Sequence, residues 1–298
     1  MKRLLLRLIL VLLMCAPCWA QNDFTGDPNV IMVQNFETAD RDNPTTGLWY
    51  DSSGNGQHFT ESGSPDVNDV NDYFKQGASS GYFDAKTYTQ VGSYLRLTDA
   101  DLSAKWPFKS TFSGTVKFSY CAWFRIDGPP DGSSNNAIKS LFGQYKITVP
   151  ERVVDFGLYW DGSIVRLKYS KGYNSGASVE ASDGTATLVS GRWYHVGLTY
   201  DDTDHSVKIR LWDDTAGAIV DNITDTHENS MDPSGSAESV FIGNRTITPA
   251  QYYEFDGWMD EVVFFDDILT SAEIDQIRLG TYGAAAMANN WWWRRRHN

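Results

Sequence analysis

Carboxylates dominate the chemistry open to this 298-residue chain, with 38 Asp and Glu against 25 Lys and Arg. They suit two tasks, acid–base catalysis and cation binding. Hydrolysis of a glycosidic bond by two carboxylates needs one acid to attack or activate water while the other donates a proton across the same cleft. The adjacent pairs Asp260-Glu261 and Asp266-Asp267 point to opposite strand faces or sit in a turn, so neither supplies that arrangement. Cation binding is the other use. Calcium takes about six to eight oxygens, commonly carboxylates mixed with backbone carbonyls. The acidic stretches 66–72 and 201–204 lack the spaced Asp-X-Asp-X-Asp-Gly loop and read as solvated turns. His195 stands alone among the histidines in a strongly alternating strand, opposite Tyr194 and Val196, and reads as structural. Gly-X-Ser-X-Gly, His-Glu-X-X-His and phosphate-cradling loops do not occur. The chain reads as a binding protein, not an enzyme.

Aromatic side chains offer the other chemistry. They make up 14% of the residues, enough apolar surface to offset chain entropy and to argue against disorder. Trp49, Tyr50, Trp160 and Tyr173 fall among turn residues, where indole and phenol rings would stack on the apolar faces of sugars. A net charge of −13 argues against a nucleic-acid partner, because phosphate backbones are held by clustered Lys and Arg.

The two ends read as separate objects. Lys2, Arg3 and Arg7 precede the apolar run Leu8 to Met14, and Cys18-Trp19-Ala20 ends in a small residue suited to cleavage. That is the layout of a secretory signal peptide over residues 1–20. Its removal leaves 22 basic and 38 acidic residues, a net of −16, and Cys121 as the sole cysteine. An exported chain with one cysteine has no internal disulfide and must be held by its core, with a metal as the natural helper. Residues 283–298 form a tail carrying Trp291, Trp292 and Trp293, then Arg294, Arg295 and Arg296. Three uses compete for it: folding back onto the acidic body, lying at a membrane surface, or docking into another copy or a sorting receptor.

Between the ends, residues 21–282 alternate in short period-two segments. Val116, Phe118, Tyr120, Ala122, Phe124 and Ile126 share one strand face, and Asp127-Gly128-Pro129-Pro130 ends the run. Tyr194 to Tyr200 and Val207 to Leu211 flank Asp201-Asp202-Thr203-Asp204 as a hairpin. Further strands are expected near 31–37, 80–84, 93–98, 138–148, 153–160, 164–170, 239–243 and 255–265. One helix is expected, opened by the capping box Thr270-Ser271-Ala272-Glu273 and closed by Gly280. The fold class is all-β, a two-sheet antiparallel sandwich with one short C-terminal helix.

Several segments, taken in order, resemble the LamG-like jelly rolls of the concanavalin A-like lectin/glucanase superfamily. Val33-Gln34-Asn35-Phe36-Glu37 followed by Asp51-Ser52-Ser53-Gly54-Asn55-Gly56 looks like the opening strand and turn. Phe118 to Phe124, Arg192-Trp193-Tyr194-His195-Val196, and Phe255 to Val262 with Leu269 to Ile274 resemble later strands and the closing helix. The resemblance spans residues 30–280. It implies a structural calcium joining the opening and closing strands, with Asp260 as the side-chain ligand. Backbone oxygens near Asn35 to Glu37 and Gly81 to Asp84 would complete the shell, which marks Glu37 and Asp84 as partners. The Glu-X-Asp-X-Glu strand of the family's β-glucan hydrolases is absent. The expected function is therefore a secreted or cell-surface domain that binds a glycan or an extracellular protein. The alternative is a structural subunit that assembles through its tail.

Overall fold

The strand from Lys117 to Ile126 shows how this sequence folds. Its even-numbered residues Phe118, Tyr120, Ala122 and Phe124 enter the main core, while Cys121 on the other face enters a second, smaller one. A strand buried on both faces must be covered from both sides. The computed structural model describes residues 22–42, 47–63, 66–85, 92–127, 138–145, 152–173, 178–232, 237–246 and 253–283. The segment read as a signal peptide and the Trp-Arg tail lie outside the described residues.

In chain order the strands are β1 (Val30–Gln34), β2 (Leu48–Trp49), β3 (Phe59–Ser62), β4 (Asn68–Val70), β5 (Ser80–Phe83), β6 (Tyr94–Leu97), β7 (Lys117–Ile126) and β8 (Ile138–Tyr145). They continue as β9 (Arg152–Trp160), β10 (Val165–Tyr173), β11 (Ser178–Asp183), β12 (Trp193–Asp201), β13 (Ser206–Asp213), β14 (Ala218–Thr226), β15 (Val240–Ile242) and β16 (Gly257–Phe265). Among the described residues one α-helix, α1, spans Ser271–Arg278. One sheet runs β14-β13-β12-β7-β16-β5-β4, with β1 also on β16; the other runs β11-β10-β9-β8-β15-β6-β3-β2. Neighbouring strands pair antiparallel, so the two layers enclose the core as a jelly-roll sandwich.

The main core fills the space between the sheets with rings such as Trp49, Trp106, Phe118, Tyr120, Phe142 and Phe264. Outside the first sheet, α1 and the amino-terminal segment bury Phe24, Val33, Cys121, Phe265, Ile274, Ile277 and Tyr282. Thr270 caps α1 by accepting from the Glu273 N–H, and Glu273 answers in kind, as the sequence predicts. Gly197 lies directly beneath the helix. A Cβ there would stand 2.6 Å from Ile274 Cγ2, so only glycine lets α1 sit down on β12.

Most sequence-level expectations match the strands observed, with two kinds of correction. The 66–72 stretch is not all loop: Asn68–Val70 forms the edge strand β4, paired with β5. The strands β2, β3, β11 and β14 were not anticipated. They are short or polar: β14 carries Asp221, Asn222, Thr224, Asp225 and Thr226, which mask the period-two signal. The two sheet edges β11 and β14 are joined by side chains. Ser182 Oγ donates to Asp225 Oδ2 at 2.8 Å, and the Thr185 N–H donates to Asp221 Oδ2 at 2.6 Å.

Candidate functional site

Two places gather chemistry, and the first is a seam in the first sheet. One edge of β16 is shared by two strands: β5 pairs with Gly257–Met259 and β1 with Val262–Phe265. Asp260 and Glu261 fall in the gap between them. The register against β7 shifts there, and Glu261 takes φ +48°. The strand is buried along its whole length, so both adjacent acids lie inside the protein, Asp260 fully so.

Chain segments converge on this gap. The Lys75 and Gln76 N–H groups donate to Asp260 Oδ2 at 2.7 and 2.8 Å, while Oδ1 has no partner. Burial, reinforced by the negative Glu37, pushes the Asp260 carboxyl up to about 7. Glu37 arrives through Phe36, which has φ +59° and rests its ring where a Gly81 side chain would be. Glu37 Oε1 accepts from the Ala78 N–H at 2.8 Å. Glu261 is pushed well above the carboxylate range by burial and by Asp260, and its Oε1 is unpartnered. Asn35 Oδ1 and both the Oε1 and the Nε2 of Gln34 are also buried without partners.

A buried group with this many acceptors and so few donors costs free energy unless a cation or protons supply the missing charge. The donor set, all oxygen, suits a hard cation. Among the described residues no three His, Cys, Asp or Glu side chains converge tightly enough to hold an ion alone, so a metal here would draw on amide and backbone oxygens. Of the three sequence-expected ligands, Asp260 and Glu37 are brought together. Asp84 is not: it lies at the far end of β5, beside Asp256 and Asp127. There burial and those neighbours raise the Asp256 carboxyl to about 6.

The second place is a cavity of about 400 Å3 on the outer face of the second sheet. Strand alternation puts Tyr159 of β9, Lys168 and Ser170 of β10, and Val179 and Ala181 of β11 on this face. Arg245 and Tyr253, from the connections around β15, close one side. Arg245 is held by a buried ion pair with Asp155, which Ser140 Oγ also contacts at 2.6 Å. Its guanidinium lies 3.4 Å from the Tyr253 ring centroid and 4.5 Å from that of Tyr145. Lys168 Nζ sits 4.4 Å over Tyr159 and 3.2 Å from Asp183. Rings, fixed cations and a hydroxyl thus share one concave surface.

The four aromatics expected to bind sugar do not form this surface. Trp49 is wholly buried and packs edge-on against Phe36, so it is a core residue. Trp160 is half-buried against the main core. Tyr50 is 38% exposed but belongs to the β2 edge, edge-on to His58. Tyr173, at the other end of the β9–β10 hairpin from Trp160, lies with its ring 5.9 Å from Lys171 Nζ. The signal for the cavity residues lies in the alternation along β9 and β10, not in proximity to turns.

Two histidines complete the inventory. Ser182 Oγ is 2.9 Å from His227 Nε2, and Nδ1 is 3.8 Å from Glu180. Serine and histidine are both buried, and the hydroxyl also bonds Asp225, so the group seals the β11–β14 edge and exposes no nucleophile. His195 packs 5.1 Å from Trp123 beneath α1, and burial, with Arg278 and Arg210 nearby, pushes it down to about 3. Its folded pKa is below the unfolded value, so the unfolded chain takes up a proton that the folded chain refuses. The resulting loss of stability begins as pH falls through about 6.5 and is complete near 3. His195→Phe should therefore flatten the acid limb of a melting-temperature profile between these limits, while changing it little above pH 7.

The Laminin_G_3 family, described as the concanavalin A-like lectin/glucanases superfamily, matches residues 89–275. No curated protein matches. Among solved structures, the botulinum neurotoxin serotype D/C binding domain is 12% identical, with 86% of this chain covering 53% of that one at a TM-score of 0.53. The Trypanosoma rangeli sialidase is 14% identical, with 86% covering 33% at 0.50. The carbohydrate-binding module CBM40 of the Ruminococcus gnavus IT-sialidase, solved with α2,3-sialyllactose, is 18% identical, with 57% covering 84% at 0.40. The chain thus spans about half of the neurotoxin domain and a third of the sialidase.

Proposed function

The chain belongs to the concanavalin A-like lectin/glucanases superfamily, and on that premise we propose that it is a secreted, non-catalytic domain that binds a glycan, clasped by one calcium ion. The observation that carries this reading is the ring-and-cation cavity on the second sheet. Sugars present apolar C–H faces and a girdle of hydroxyls, so a site for them combines aromatic faces with a few fixed polar groups. Tyr159 and Tyr253 supply the faces, Ser170 a hydroxyl, and Lys168 and Arg245 donors with no acceptor role. The paired carboxylates that hydrolysis requires are not among the cavity's lining residues, which supports binding without turnover.

Calcium would be held by Asp260 and Glu37, with Asn35 and backbone oxygens of the seam completing the shell. It would supply charge neutralisation and a cross-link between β1 and β16, keeping the second sheet's partner layer rigid. No helix among the described residues is long and apolar enough to cross a membrane. A glycan array probed with the mature protein in calcium tests the reading. Tyr159→Ala should weaken any array hit by about tenfold or more, the order expected when one stacking ring is lost. Its melting temperature should hold, since Tyr159 is only half-buried. Undiminished binding in this variant would remove the cavity as the site.

A further inference from the structure

We propose that the cavity on the second sheet selects sugars that carry a carboxylate and holds that group between Arg245 and Lys168. The proposal rests on the reading of this cavity as a glycan site and adds the charge of the ligand to it. Its geometric basis begins with the floor. Outward-facing residues of β8 to β11 line up in two neighbouring rows: Ser140, Gly157 and Lys168 in one, Gly143, Asp155, Ser170 and Ala181 in the next. Most of these side chains are small, so a trough opens between the larger residues at its rim. Gly143 also makes room for one of the cations. A Cβ there would stand 2.6 Å from Arg245 Cβ, so glycine lets Arg245 lie across β8.

The polar groups of the trough are out of balance. Lys168 and Arg245 can only donate hydrogen bonds. No carboxylate is among the described residues that line the cavity. Asp155, beneath it, is already used on both oxygens: Oδ2 pairs with Arg245 Nη1, and Oδ1 accepts from Ser140 Oγ at 2.6 Å. Arg245 Nε, by contrast, is buried with nothing to donate to. A buried N–H without an acceptor costs free energy that a ligand oxygen beside the guanidinium would recover.

Geometry favours a carboxylate as the acceptor. The Tyr253 and Tyr145 rings hold the guanidinium in place, and a fixed planar fork of donors matches a planar anion. A sugar hydroxyl fits less well, because its own hydrogen also needs an acceptor and the lining carries few. Lys168 is available for the same group. Its pair with Asp183 joins side chains 21% and 44% exposed, and such a surface pair is weak enough to yield to a better-placed anion. The net charge of −13 does not forbid an acidic ligand. At physiological salt the field of distant carboxylates fades over about 8 Å, so the two cations within reach decide the sign.

Titration calorimetry at constant calcium provides the test. The probes are disaccharides containing glucuronate, galacturonate or sialate, each beside its methyl ester, which keeps the ring and hydroxyls but loses the charge. Neutral and sulfated disaccharides complete the set. At least one acid should bind about tenfold or more tighter than its ester, and added salt should shrink that preference. Lys168→Met should weaken the acid by about tenfold and leave the ester unchanged. Asp183→Asn should tighten the acid several-fold, because Lys168 is then released. Both residues are exposed enough that the variants should keep the parent's melting temperature. Acid and ester bound equally, with both lost in Tyr159→Ala, overturn the proposal and leave the glycan reading standing. A sulfated or neutral sugar preferred over every carboxylate does the same. An acid preference indifferent to both Lys168→Met and Tyr159→Ala places the charge recognition elsewhere and overturns it too. Failure of every probe to bind removes the proposal and the glycan reading together.

Discussion

Stripping calcium with excess EDTA is expected to lower the melting midpoint of the mature protein by roughly 10 °C. An ion present at about a thousand times its dissociation constant stabilises by about 4 kcal/mol, and each kcal/mol moves a domain of this size by about 2–4 °C. The reason lies in the seam. Asp260 is fully buried with Oδ1 unpartnered, and Glu37 adds repulsion to the cost of burial. An Asp260→Asn variant removes both the ligand charge and that repulsion. It should melt at one temperature with or without EDTA, at or above the stripped parent. Binding should also tighten as pH rises through about 7, because the ion must displace the proton that burial favours on Asp260. Differential scanning calorimetry of both chains over added calcium checks all three outcomes; a parent midpoint indifferent to EDTA would remove the metal from the account.

The second large effect is expected at Arg245. With side chains 7% and 4% exposed, Arg245 and Asp155 form an ion pair out of water. Arg245→Met keeps much of the stem that packs on Tyr253 and Tyr145 but strands the Asp155 carboxylate. Breaking a buried pair from one side costs about 3–5 kcal/mol. Urea unfolding should show that loss, and adding Asp155→Asn should return a large part of it, since the stranded charge is then gone. Glycan affinity should fall in both variants, because Arg245 lines the cavity. A single-variant cost near zero would mean that water reaches the pair.

Much of the scaffold could be read from the chain because the physics is local. Phe118 to Ile126 alternates without interruption, and Thr270 with Glu273 announces a helix start by side-chain chemistry alone. Asp260 could be singled out through a resemblance, and the structure puts it with Glu37 at the joint of β1, β5 and β16. The remainder depends on contacts between distant segments. That Trp49 is core while Tyr159 faces a cavity is decided by which sheet covers which face, and turn proximity carries no such information. The resemblance marks Asp84 as a partner of Asp260 through the segment Gly81 to Asp84, and that segment does pair with β16. Pairing two strands aligns their residues one by one, however, and places Asp84 beside Asp256 instead. Glu261 was hidden for another reason. Strict alternation sends it to the opposite face from Asp260, and that face is covered as well, because β16 is buried along its whole length.

The most direct test is a crystal structure of the mature protein grown with calcium and a glycan fragment identified on the array. The account predicts an intact saccharide in the second sheet's cavity, its ring against Tyr159 or Tyr253 and its hydroxyls near Lys168, Ser170 and Arg245. A saccharide seated on another surface, or one cleaved beside a pair of carboxylates, would contradict it.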